Sequence, residues 1–207
     1  MKVLITAGAT RNPIDAVRYL SASSSGRTGV QVARALSLAG CDVHLLGSPE
    51  AVLRAPELHT EVYSSTRDLM VRMERWVRDN PAGAVVHASA VGDYEYVFDG
   101  NIKIPSGRDE LVLRLTPTPK IADHVRGWGL TGLFVTFKAA PPETDDEELV
   151  AIADRQRLRT GSDVVFANVL GRLGSGVWHI GATQWRFERR DDAIESLIER
   201  VASGRKG

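Results

Sequence analysis

The sequence predicts an α/β fold of three layers: a mostly parallel sheet with helices on both faces and a β-hairpin or flap extension. Three observations carry this expectation. Short apolar runs recur and end in small residues, as strands buried on both faces do. Between them lie segments whose apolar residues repeat at helical spacing. Strands alternating with helices in this way pair in parallel through crossovers. With 207 residues, 43% of them hydrophobic, the chain can bury a sizeable core. No repeat or linker divides it, so one domain over residues 1–207 is expected.

The elements follow in order. Residues 2–7 read as a buried strand bounded by a Gly-rich turn. Over 25–39, Val32, Leu36 and Ala39 recur as a sheet-packing helix requires. Residues 42–46 and 60–64 are the second and third strands. Ser65 and Asp68 form a capping box for a helix that carries Leu69, Met70, Met73, Trp76 and Val77 on one face. Residues 83–88 are the fourth strand. The span from Ala90 to Pro119 breaks the rhythm, with a Pro105-Ser-Gly-Arg108 turn and alternation over 111–115 that predicts a hairpin strand. Thr118-Pro-Lys-Ile121 opens a helix with proline in its first turn. Residues 133–137 are the fifth strand, and Thr144 with Glu147 boxes a helix that stops at Gly161. A sixth strand covers 163–168. An antiparallel pair (177–180 and 184–188) and a helix over 191–201 end the series.

Bulk composition narrows the function. Lys+Arg and Asp+Glu both total 26, so the formal charge is zero, which argues against binding nucleic acid or a membrane with the whole surface. Cys41 is the single cysteine; an intrachain disulfide and a Cys-based zinc site are excluded, and a small core residue is expected there. The N-terminus lacks signal-peptide character and no run reaches membrane-spanning length, so a cytoplasmic protein is expected.

The first thirty residues carry the most chemical information. An apolar strand ends in Ala7-Gly-Ala-Thr10, a polar loop bears Arg11, Asp15 and Arg18, and a Ser/Gly turn opens a helix. Small residues let backbone N–H groups approach an anion, and a helix N-terminus adds partial positive charge. Two arginines in the same loop strengthen a phosphate or carboxylate site. Parallel α/β sheets bind ligands beyond the carboxyl ends of their strands. Those ends are residues 8–18, 88–93, Phe137-Lys138 and Asn168, which converge on one edge. A dinucleotide oxidoreductase fits poorly: Ala7-Gly-Ala-Thr10 departs from G-x-G-x-x-G, and the second strand ends in Leu45-Leu-Gly-Ser-Pro without an acid for a ribose. None of the four tyrosines has a lysine four residues on, and no G-K-[ST] phosphate loop occurs.

Ile5-Thr-Ala-Gly-Ala-Thr-Arg-Asn-Pro-Ile-Asp-Ala-Val-Arg18, followed by Ser24-Ser-Gly-Arg-Thr-Gly29, resembles the opening signature of the phosphopantothenoylcysteine synthetase family. Ala88-Ser-Ala-Val-Gly-Asp-Tyr94, Lys103-Ile104, Thr116-Pro-Thr-Pro-Lys-Ile121, Val135-Thr-Phe-Lys138 and Asp163-Val-Val-Phe-Ala-Asn168 follow in family order. The resemblance spans nearly the whole chain and is closest to the stand-alone form of the ligase, whose Rossmann-like sheet agrees with the elements above.

The resemblance implies a ligase that activates the carboxylate of 4′-phosphopantothenate with CTP or ATP as co-substrate, together with Mg²⁺, and passes the acyl group to the amine of cysteine. It implies that Arg18 stands beside the reacting acyl end and that Lys103 meets the nucleotide phosphates; these are the expected catalytic pair. Gly8, Thr10, Arg11, Ser24, Ser25, Gly26 and Asn168 are the expected substrate and phosphate contacts. Ala90, Asp93, Thr118, Pro119, Lys120, Ile121, Phe137 and Lys138 are expected to hold the nucleotide, with Phe137 against the base. No metal ligand is assigned, and His179 is given no role. The flap region implies a homodimer that acts on small molecules. Two departures stand out. The family's Ser-Asn-x-Ser-Ser-Gly reads Ser21-Ala-Ser-Ser-Ser-Gly26 here, and lysines of CTP-using members align with Gln156 and Thr160. A diverged paralogue joining another carboxylate and amine, or a non-catalytic nucleotide-binding module, is the alternative.

Overall fold

The computed structural model describes residues 1–97, 103–107, 109–172 and 176–204. Its strands are β1 (Lys2–Ala7), β2 (Arg11–Pro13), β3 (Tyr19–Ser21), β4 (Asp42–Gly47), β5 (His59–Val62) and β6 (Ala84–His87) in the first half. The second half adds β7 (Tyr94–Tyr96), β8 (Leu115–Pro117), β9 (Phe134–Ala140), β10 (Val164–Val169), β11 (Val177–Ile180) and β12 (Gln184–Phe187). The helices are α1 (Arg27–Leu38), α2 (Pro49–Leu53), α3 (Thr66–Asp79), α4 (Ile121–His124), α5 (Asp146–Thr160) and α6 (Arg190–Ala202).

Eight strands form the main sheet in the order β12-β11-β10-β9-β6-β1-β4-β5. The six from β5 to β10 pair in parallel, and β11 and β12 close the far edge antiparallel. The expected α/β architecture is therefore present. The pleat of β1 shows why its apolar run is unbroken: Val3, Ile5 and Ala7 enter the core under α1 and α6, while Leu4 enters the opposite core with Leu69, Met73 and Val77 of α3. α5 packs on that second face through Leu149 and Ala153. Helices thus cover both faces. Cys41 packs, half-buried, against the α1 core. Among the described residues no helix is long and apolar enough to cross a membrane.

Several boundaries differ from the sequence reading, each for a physical reason. The cap of α5 is Asp145, whose carboxylate accepts from the Glu148 N–H at 2.8 Å; Thr144 is buried and its N–H is held by Pro141 O, so the Thr144/Glu147 box does not form. The helix expected from Thr118 begins only at Ile121, with Lys120 as its cap. Thr118 is fixed outside it, its N–H on Asp93 O and its hydroxyl on Gly92 O, which leaves Pro119 ahead of the helix instead of in its first turn. The hairpin strand expected over 111–115 is displaced: β8 starts at Leu115 and pairs antiparallel with β7, while 111–114 form no strand. Residues 98–102 of the flap and Arg108 of its turn lie outside the described residues. The polar loop after β1 folds into a small hairpin, β2–β3, that the sequence did not suggest.

Candidate active site

The site is built where β1, β6, β9 and β10 end. After β1, Gly8 turns with a φ of 90°, and a Cβ there would stand 2.1 Å from Ser48 Oγ. At Gly26, with φ 73°, a Cβ would stand 2.7 Å from Ala51 Cβ and 3.0 Å from the Gly8 nitrogen. These glycines allow three segments to cross closely, and that crossing puts the Ser/Gly turn at the start of α1 over the strand ends. The chain past β6 is tied to the same place. Ala90 N–H donates to Gly8 O at 2.8 Å and Thr10 N–H to Ala90 O at 3.1 Å. Thr10 Oγ1 accepts from Gly92 N–H at 2.8 Å and from Thr66 Oγ1 at 3.1 Å. Tyr63 donates to Ala7 O at 2.9 Å and meets Ser89 Oγ at 2.9 Å; burial pushes its phenol well above the ordinary value.

Among the described residues, two clefts open on this edge. The first, about 340 Å³, lies between the Ser23–Gly29 turn, Ala90, Asn168 and Arg190. Its lining contains two arginines, Arg27 and Arg190, and no carboxylate. Gly26 gives α1 no side-chain cap and its first turn holds no acid, so the N–H groups at the helix start form an uncompensated positive end. The second cleft, about 280 Å³, is lined by His87, Asp93, Lys120, Ile121, Lys138, Gln156 and Arg159. Phe137, Ser89 and Ala139 belong to both linings, so the clefts adjoin. Phe137 stacks on Phe166, with ring centroids 4.7 Å apart, and presents an apolar wall between them. Gln156 fixes that wall from α5, its Nε2 donating to Thr136 Oγ1 at 3.0 Å and to Phe137 O at 3.1 Å. In the second cleft Lys120 is paired with Asp93, and Arg159 with Asp123. Among the described residues no cluster of three His, Cys, Asp or Glu side chains could hold a metal ion.

The fold thus brings Ser24, Ser25, Gly26, Ala90, Asn168 and Phe137 around one cleft, and Asp93, Lys120, Ile121, Phe137 and Lys138 around the other. Other expected site residues line neither. Gly8 and Thr10 form the framework behind them. Arg11 pairs with Glu50 and lies over the Tyr19 ring at 4.8 Å. Thr118 and Pro119 lead into α4. Arg18 and Lys103 sit together on the β2–β3 annex: Ile104 N–H donates to Asp15 Oδ2 at 3.0 Å, and Arg18 Nη2 donates to Ile104 O at 3.4 Å. Lys103 is exposed there.

His87, Arg159 and Arg190 line the clefts although the sequence reading named none of them. The signal for His87 was its place at the end of the fourth strand. His87 is buried, with Nδ1 at 2.8 Å from Thr6 Oγ1, and desolvation pushes its pKa down to about 4, so it is neutral at physiological pH. Arg190 had no local signal, because the fold alone brings α6 to this edge.

Known proteins agree with this geometry. The family model described as DNA/pantothenate metabolism flavoprotein C-terminal domain matches residues 1–194. The chain is 37% identical over 174 residues to the coenzyme A biosynthesis bifunctional protein CoaBC of Thermococcus kodakarensis, which covers 84% of this chain and 42% of that protein. Against the protein of the same name from Escherichia coli K12 it is 30% identical over 220 residues, 98% of this chain and 52% of that one. The chain therefore spans about half the length of these curated relatives, or less. The crystal structure of the DNA/pantothenate metabolism flavoprotein from Streptococcus pneumoniae superimposes with a TM-score of 0.85 at 27% identity, covering 98% of this chain and 99% of that one. The chain belongs to the family of the DNA/pantothenate metabolism flavoprotein C-terminal domain.

Proposed function

We propose that this chain joins 4′-phosphopantothenate to cysteine at the expense of CTP or ATP. The observation that carries the reading is the pair of adjoining clefts that share Phe137, one with an uncompensated positive end and the other with Lys138 beside the Lys120–Asp93 and Arg159–Asp123 ion pairs. Two polyanionic substrates held side by side require such an arrangement. The coenzyme A relatives support the same chemistry.

In the first step a carboxylate oxygen of phosphopantothenate attacks the α-phosphorus of the nucleotide, and pyrophosphate leaves. In the second the cysteine amine attacks the acyl carbon; the nucleoside monophosphate leaves with the bridging oxygen, and the amine loses a proton. The chain's task is positioning and charge stabilisation. The Ser24–Gly26 backbone and Asn168 receive phosphate or acyl oxygens, Ala90 and Asp93 orient the nucleotide, and Phe137 packs on its base. Mg²⁺ bound with the nucleotide would supply neutralisation of triphosphate charge, and no residue of this chain is assigned to hold it.

Arg18 and Lys103 are proposed to serve a cleft of a second subunit. They share one clamped annex and line neither cleft of their own chain, so a homodimer completes the site. A monomer mass in light scattering at tens of micromolar would refute this. A cytoplasmic location goes with a substrate and product that carry a free thiol. Ala22, which lacks the side-chain amide of the family motif, favours a second reading in which a different carboxylate and amine are joined. Pyrophosphate release measured with phosphopantothenate, cysteine and each nucleotide tests both: release that requires phosphopantothenate supports the first reading, and its absence with either nucleotide overturns it.

A further inference from the structure

Arg190 is the first residue of α6 and reaches 162 positions back along the chain to donate from Nη2 to Thr28 Oγ1 at 3.1 Å. Its Cζ lies 5.1 Å from the centre of the Phe166 ring. Nη1 is buried and has no hydrogen-bond partner among the described residues. The carboxylate charge acting on the guanidinium is that of its chain neighbour Asp191, through space and without a hydrogen bond. Burial draws its pKa below the ordinary guanidinium value, yet an arginine stays protonated at neutral pH. Arg190 is half-buried; a half-buried cation is less favourable without a counter-charge, and the positive end of α1, which faces the same cleft, adds to this. A clamp between α1 and α6 would explain Nη2 alone. The orphaned Nη1 and the carboxylate-free lining call for an anion in the cleft.

We propose that Arg190 is a phosphate-binding residue: its guanidinium turns so that Nη1, closed to solvent in the free chain, donates to a phosphoryl oxygen seated at the start of α1, while Nη2 remains on Thr28. The fork of a guanidinium suits this division, since two donors in one plane can serve protein and ligand at once. The inference rests on the reading that phosphorylated substrates occupy this edge, but it names a residue that the Ser/Gly signature does not contain. The phosphoryl group belongs either to the nucleotide or to phosphopantothenate, and the test distinguishes them.

The experiment titrates the full chain and Arg190→Met calorimetrically with inorganic tripolyphosphate, ATP, CTP and 4′-phosphopantothenate, at two salt concentrations. Met retains the apolar contact with Phe166 and removes the charge. It should bind tenfold to a hundredfold more weakly whichever ligand carries the phosphoryl group, the loss expected for a charge-assisted contact of roughly 1.5–3 kcal/mol. Loss for tripolyphosphate and nucleotides together assigns the site to the nucleotide; loss for phosphopantothenate alone assigns it there. The wild-type affinity should fall more steeply with salt than that of the variant, which a purely structural clamp would not produce. If Met does not fold, Arg190→Gln, which retains a donor for Thr28, carries the same expectation. Unchanged binding of all four ligands in the variant overturns the assignment, as does a wild type that binds none of them. A wild type that binds tripolyphosphate through Arg190 but forms no product removes the ligase reading and leaves the phosphate site standing. Product formation with unaltered affinities in the variant does the reverse.

Discussion

Asp15 and Ile104, 89 positions apart, are joined by a 3.0 Å hydrogen bond from the Ile104 N–H to Asp15 Oδ2. The other carboxylate oxygen accepts from Val17 N–H at 2.9 Å and from Arg18 N–H at 2.8 Å, so one buried side chain both folds the β2–β3 turn and holds the segment bearing Lys103. Arg18 closes the clamp from the far side through Ile104 O. The annex that the proposed chemistry needs is therefore a single hydrogen-bonded unit whose parts precede and follow β6 in the sequence.

Asp15→Asn tests that unit. An amide offers one acceptor oxygen where the carboxylate offered two, so either Ile104 or the turn loses its partner. The Ile104 amide should exchange with solvent about tenfold faster in hydrogen-exchange measurements, because local opening becomes easier. Catalysis should fall as Lys103 loses its fixed position. Burial alone would raise the Asp15 carboxyl, but the backbone N–H groups of Val17, Ile104 and Arg18 and the Arg18 charge outweigh it and hold the pKa below the ordinary value. Its contribution is complete above about pH 4 and disappears as pH falls through the folded value. Unchanged Ile104 exchange in the variant would refute the clamp.

Gly8 and Gly40 separate clash from strain. Both have positive φ, but a Cβ at Gly8 meets Ser48 Oγ at 2.1 Å and Ser48 Cβ at 2.6 Å, whereas nothing lies within 4 Å of one at Gly40. Gly40→Ala should cost about 1–2 kcal/mol from the left-handed backbone alone. Gly8→Ala should cost about 2–5 kcal/mol, since overpacking adds to the same strain and Ser48 caps α2. Urea unfolding of both variants measures the difference. Equal losses would mean that Ser48 moves aside freely and that Gly8 is not required by packing.

How much of this was legible in the chain follows from where the stabilising contacts lie. β1, β4, β6, β9 and β10 are buried on both faces, so their apolar runs advertise them. Ser65 was readable as the α3 cap because its partner, the Asp68 N–H, is three residues away. β2, β3 and β7 have only three residues each and owe their shape to bonds such as Asn12 Nδ2 to Tyr94 O, which join distant segments and leave no local pattern. Strand ends located Asn168 and Phe137 in the site, whereas Arg190 is brought there by the packing of α6 alongside α1. Thr144 was misread because a threonine and an aspartate stand side by side at the α5 start and burial decides between them.

The buried histidines set the acid response of the fold. Burial depresses His87 to about 4; burial first, and then the Arg200 charge, depress His179 to about 4. In the unfolded chain both titrate near 6.5. Between these values the unfolded state binds protons that the folded state does not, so stability is full above about pH 6.5 and falls as pH drops toward 4. Each group contributes up to about 3 kcal/mol to that fall. His179 lies between the rings of Phe166 and Phe187, at 5.3 Å and 4.6 Å, and its Nε2 has no partner among the described residues. His179→Phe should remove the share of one histidine from the slope of unfolding free energy against pH from 4.5 to 6.5, a slope to which His87 and the likewise depressed His44 also contribute. An unaltered slope would show that His179 titrates equally in both states.

Ala22 offers the sharpest test of the proposed reaction. It is exposed between β3 and the Ser/Gly turn, with its carbonyl accepting from Ser21 Oγ at 3.1 Å, so a larger polar side chain fits there without disturbing the core. An asparagine amide can donate to an acyl oxygen and accept from an amine, and alanine can do neither. Loss of one positioned donor at an acyl-transfer centre costs about 10²–10³ in rate. The proposed phosphate contacts come from the backbone of the turn and from Arg190, which are separate from this side chain. Nucleotide affinity should accordingly be the same in the wild type and in Ala22→Asn, while the rate of phosphopantothenoylcysteine formation should rise by about 10²-fold in the variant. Parallel calorimetry and pyrophosphate release separate binding from chemistry. A wild type as fast as the variant would mean that another group supplies the donor; no product from either would transfer the site to a different carboxylate and amine.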